Sequence, residues 1–163
     1  MSTTSPPSDS VARRTLRFAS LDDVLAEARR LVEAAQAGRL SYAGRWTLAR
    51  MLNHLAVWME YAYTEAPLKV PFFMRWLLRP MKRRMLTTSM KSGLRLPKVQ
   101  GGTLGIEDVP LEQAVRRFEA ALGRLKSEPP TRAHPLFGRM THDEWVALHL
   151  RHAELHLSFA VPA

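Results

Sequence analysis

The chain has 163 residues and a mass of 18.5 kDa, enough for one domain with a real core. It contains no cysteine, which excludes disulfides, thiolate metal sites and cysteine nucleophiles. Its formal net charge is +9, from 24 Lys and Arg against 15 Asp and Glu, a balance that favours anionic partners and says nothing about fold.

Residues 1–13 are rich in Ser, Thr and Pro and are expected to form a disordered tail, with a single helical domain over 14–163. Arg13-Arg14 hints at a twin-arginine signal. The charged, periodic stretch "LDDVLAEARRLVEAAQ" that follows has no apolar h-region, so the hint fails. No run approaches the roughly 18–20 continuous apolar residues of a spanning helix. A soluble, cytoplasmic protein is expected.

A first helix is predicted from Leu21 to about Ala37, with Ser20 as N-cap, Asp22 and Asp23 in the first turn and Gly38 just past the end. Leu21, Val24, Leu25, Ala28, Leu31 and Val32 give it one apolar stripe. A second helix is predicted from Thr47 to about Glu65, ending before Pro67. It is apolar around much of its circumference and therefore central, with His54 in its middle. In the proline-rich, basic segment after it, Phe72 to Leu78 predicts two helical turns that Pro80 kinks or stops, and Met81 to Leu86 another short helix. Glycines and prolines mark Ser92 to Pro110 as a long irregular connection. A further helix is predicted over Leu111 to Ser127. The last runs from the capping-box pattern Thr141-His142-Asp143-Glu144 to about Phe159. No strand is legible. The expected fold class is all-α, an antiparallel four-helix bundle with short extra helices in its middle.

Four of the six histidines, His142, His149, His152 and His156, lie in the last helix. Trp145, His149, His152, His156 and Phe159 recur at steps of four and three and share one face. His152 and His156 are separated by about 6 Å of helical rise, a spacing at which two imidazoles can converge on one ion. His149 and His156 are separated by roughly 10 Å, too far to share an ion easily. His149 with His152 is a less favourable pair. A third ligand from a facing helix would leave open positions on the ion, as in catalytic sites; His54 is the candidate. Spacing alone balances this reading against histidines satisfied within a core. His134, in "HPLFG", reads as a turn histidine packed beside Pro135. Trp46 is placed to staple the entry to the second helix.

"LNHLAVWMEYAY" followed much later by "RHAELHLSF" resembles the DinB-like (YfiT-like) superfamily of bacterial four-helix-bundle metalloenzymes. "HPLFGRMTHDEW" and "RRTLRFASLDDVLAEA" resemble one subgroup of unknown function within it. The resemblance spans about Arg13 to Phe159. It implies metal ligation by His54, His152 and His156 and a divalent ion, variously Zn, Ni, Mn or Fe. It also implies, for some members, transfer of low-molecular-weight thiols to electrophiles. Many members carry a glutamine shortly after the last histidine, where this chain has Leu157-Ser158-Phe159.

Such an ion would draw an anionic or thiol-bearing substrate, or lower the pKa of a bound water for hydrolysis. His149 is then the candidate catalytic residue, as general base or orienter. Glu60 and Glu65 could support the ligands, though solvated surface is the plainer role for both. The rival reading is a non-enzymatic metal- or partner-binding bundle with a basic surface. "FFMRWLLRPMKRRM" admits three roles: a lid that attracts an anionic substrate, a membrane-facing helix, or a structural cap. Pro80 argues against the membrane by breaking the amphipathic face. No nucleic-acid-reading motif is present. A homodimer is compatible with the sequence and not demanded by it.

Overall fold

The structure, a computed structural model, describes residues 11–68, 70–93, 95–96 and 99–163. The expected N-terminal tail lies outside the described residues as far as Ser10, as do three positions of the Ser92 to Pro110 connection. Among the described residues there are five α-helices and one two-stranded sheet.

α1 (Leu21–Gln36) starts at a reciprocal capping box, Ser20 accepting the Asp23 amide while Asp23 accepts the Ser20 amide. α2 (Leu48–Glu60) is capped by Thr47 and is buried along nearly its whole length, as its all-round apolar sequence requires. It stops a turn earlier than expected. The Ala62 and Tyr63 amides turn back onto the Met59 and Glu60 carbonyls, and the Ala62 carbonyl accepts the amides of Thr131 and Arg132. α4 (Leu111–Ser127) and α5 (His142–Leu157) follow the expected boundaries closely, α5 with its Thr141–Glu144 capping box formed. α1, α2, α4 and α5 pack on one another around Leu31, Leu52, Phe118, Leu122, Trp145 and Leu157.

Two expectations are corrected. α3 (Phe72–Thr87) is one helix that runs through Pro80. Pro80 sits on the exposed side, where water can satisfy the carbonyl it leaves unbonded. The chain also has strands: β1 (Leu40–Tyr42) pairs antiparallel with β2 (Ala160–Pro162), in register Leu40↔Pro162. Three residues are too few for an alternating pattern to show in sequence. The pairing brings the approach to α2 beside the end of α5, which sets Trp46 against the C-terminal histidines.

The extended segment before α1 is part of the same packing. Arg13 donates to Ser158 Oγ at 2.6 Å, and the Arg14 amide donates to the Ser158 carbonyl. Among the described residues, no helix is long and apolar enough to cross a membrane.

Candidate metal centre

α2 presents His54 from the core side, and α5 presents His152 and His156 one turn apart. His54 is buried, whereas His152 and His156 keep partial exposure, so the group sits where core meets solvent. His152 Nε2 lies 3.0 Å from His54 Nε2 and 3.1 Å from His156 Nε2. One ligand nitrogen from each ring lies within 4.8 Å of the other two. Tetrahedral ligands at Zn–N distances of about 2.0–2.1 Å stand roughly 3.3 Å apart, close to the two short separations.

The protons the three rings can carry leave this geometry suited to a cation. His54 Nδ1 is 2.6 Å from the Leu104 carbonyl, which can only accept, so Nδ1 carries the hydrogen and Nε2 has a bare lone pair. His152 Nε2 has room for one hydrogen. If it donates to His54, it has no lone pair left to offer His156. Protons on neutral rings therefore cannot satisfy both contacts, and a shared cation can. Burial pushes the His54 pKa down to about 4, against an upward pull from the Leu104 bond and Glu107. Burial, and then neighbouring histidines, hold His152 and His156 well below the ordinary imidazole value. The rings are neutral at neutral pH, the form that ligates metal.

The walls are aromatic and backbone. The Trp46 indole stacks on His156, with centroids 5.1 Å apart and planes 3° from parallel, and meets His54 edge-on. Trp46 is thus a wall of the site rather than only a staple. Trp58 lies edge-on to His54 and His152. The Leu104 carbonyl comes from a loop pinned to α2 by the residue before His54: Asn53 Nδ2 donates to the Gly105 carbonyl and to Glu107, and Arg117 donates to Asn53 Oδ1. Glu60 is held bidentately by Arg117. Glu65 is exposed and has no hydrogen bond or ion pair among the described residues.

Gly105 is what lets the loop come this close. It has φ +72°, and a Cβ there would lie 2.8 Å from Val57 Cβ and 3.1 Å from His54 Cα. Gly105→Ala should lift the loop, free His54 Nδ1 and weaken metal binding by about 10–100-fold, the usual effect of losing an outer hydrogen bond. Chelator competition reads this. Gly123→Ala, where nothing lies within 4 Å, is the control that should leave affinity unchanged.

The other histidines lie outside the triangle. His149 is buried behind His152, with ring centroids 6.1 Å apart, stacked on Trp145; neither of its ring nitrogens has a hydrogen-bond partner among the described residues. Burial lowers its pKa to about 3. His142 Nε2 donates to the Leu125 carbonyl at 2.6 Å. His134 is buried in its turn, where Nδ1 accepts the Leu136 and Phe137 amides. Burial pushes its pKa from 6.5 to about 3, so in acid the unfolded chain takes a proton that the native turn refuses. Stability is full above pH 6.5 and falls as pH drops towards 3. The contribution lost between pH 7 and pH 5 is about 2 kcal/mol. Denaturant titrations at the two pH values should show His134→Asn, which accepts the same amides without titrating, losing less by about that amount.

Fold and centre together define a mostly helical protein with three histidines close enough to one another to hold a metal ion. Residues 10–163 match the family described as "Protein of unknown function (DUF1569)", a DinB/YfiT-like helical family, and the chain belongs to it. No curated protein and no solved structure matches the chain.

Proposed function

We propose that His54, His152 and His156 hold a divalent ion and that the protein is an enzyme acting on a small anionic or thiol-bearing molecule. The observation that carries this reading is the nitrogen triangle, which protons alone cannot satisfy. The reading assumes an antiparallel four-helix bundle of DinB-like type, to which α3 is an addition. A bound divalent ion with open positions would supply Lewis acidity, lowering the pKa of a thiol or a water for thiol transfer or hydrolysis.

The chain's own residues bind and orient. Leu104 fixes the His54 tautomer, and Trp46 holds the His156 ring plane and excludes water from that side. The Arg13 guanidinium projects positive charge onto His156, which favours an anionic substrate at the exposed edge. His149 is the acid–base candidate. Burial lowers its pKa to about 3, so it is a weak base near neutrality, and it reaches the site only through its ring contact with His152.

The test is metal content of protein purified without a polyhistidine tag, followed by thermal-shift screening with small thiols. Stoichiometric metal and a thiol-dependent shift support the reading. Metal whose removal unfolds the chain would assign a structural ion, and protein that neither contains nor takes up metal removes the enzyme.

A further inference from the structure

α3 carries an apolar ridge on its outer side. Trp76 is 72%, Leu77 69%, Phe73 58% and Met81 45% exposed, the large hydrophobic residues most open to solvent among those described. On a helical wheel they fall within one face. Arg79 and Arg83 run along one edge of that face, and Arg84 lies at its C-terminal end; all three are exposed and form no ion pair among the described residues. α3 contains no acidic residue. Its opposite side is anchored to the body: it packs on α5, Lys82 pairs with Glu144 at 2.6 Å, and Leu78, Met85 and Leu86 are half-buried. The helix is therefore held with its apolar side outward. Pro80, expected to break the amphipathic face, leaves α3 continuous, so the face is whole.

We infer that the outer face of α3 docks on an anionic lipid surface, with Trp76, Leu77, Phe73 and Met81 entering the headgroup region and Arg79, Arg83 and Arg84 meeting lipid phosphates. An exposed apolar ridge bordered by arginines, with a tryptophan in it, is the composition of an interfacial helix. A second copy is a poorer occupant. Two such faces related by a twofold axis would set arginines against arginines with no carboxylate to pair them. A purely ionic partner such as nucleic acid would leave the ridge in water. The inference does not depend on the metal centre.

The test uses the full chain with sedimented vesicles of phosphatidylcholine alone and of phosphatidylcholine with phosphatidylglycerol in equal parts. Binding is expected to the anionic vesicles only, to weaken with salt, and to shift Trp emission to shorter wavelength. Trp76→Ser/Leu77→Ser should abolish it. Arg79→Gln/Arg83→Gln should weaken it on the order of tenfold or more. All four positions are exposed, so circular dichroism should show both variants folded. No binding to anionic vesicles overturns the inference, and so does binding that both variants retain. A concentration-dependent dimer that Trp76→Ser/Leu77→Ser dissolves, with no vesicle binding, would give the face to a second copy.

Discussion

His152→Ala is expected to lose the metal and keep the fold. His152 Nε2 is the nitrogen in short contact with both partners, at 3.0 and 3.1 Å, so its removal leaves only two ligands, one from each of two helices. Metal affinity should fall by more than the roughly 10–100-fold that loss of an outer hydrogen bond costs. Added metal should raise the melting temperature of the native sequence and leave the variant unmoved, since only a ligand that binds the folded state stabilises it. The metal-free comparison is more telling. The native triangle holds nitrogens that cannot all be satisfied, so metal-free His152→Ala should lose less stability than truncating a packed core side chain usually costs. A histidine serving only to pack the core would show that full cost. Elemental analysis and thermal melts in chelator decide between them, and a variant that retains stoichiometric metal refutes the site.

What the sequence made legible here was local. Thr141 and Glu144 announced the start of α5, and the spacing of His152 and His156 needed only helical rise to place both rings on one face. His54 was different. Nothing between residues 54 and 152 says that their side chains meet, and the third ligand rested on its place in a central helix and on family resemblance. The Leu104 carbonyl was not legible, because a backbone acceptor 50 positions away leaves no side-chain signature. Its trace was Gly105, one glycine among several in an irregular stretch. The stacking of Trp46 on His156 is not legible in the sequence for a related reason: it depends on pairing between two three-residue strands far apart in the chain. Pro80 does not stop α3 because its exposed position lets solvent meet the lost hydrogen bond.

Glu154→Ala is expected to destabilise the fold by about 3–5 kcal/mol, the usual consequence of removing one partner from a buried ion pair. Glu154 and Arg151 are 3% and 4% exposed, one turn apart on the side of α5 that faces the N-terminal segment. Glu154 Oε1 meets Arg151 Nη2 at 3.0 Å and accepts the Phe18 amide at 2.7 Å, while Arg151 Nη2 donates to the Phe18 carbonyl at 2.6 Å. The pair thus completes the hydrogen bonding of Phe18, a core residue just ahead of the α1 cap. Burial raises the Glu154 pKa, against the Phe18 amide and Arg17, which lower it. The carboxylate is therefore held by its partners rather than by its surroundings. Truncating it strands the Arg151 charge in the core and orphans the Phe18 amide. Arg151→Met/Glu154→Ala removes the stranded charge and leaves only Phe18 unsatisfied, so the double variant should cost less than the two single losses added together. Denaturant unfolding of Glu154→Ala, Arg151→Met and the double variant measures the coupling. Strict additivity would mean that Glu154 and Arg151 act independently, and that the segment before α1 is held by Arg13, Arg14 and apolar packing instead.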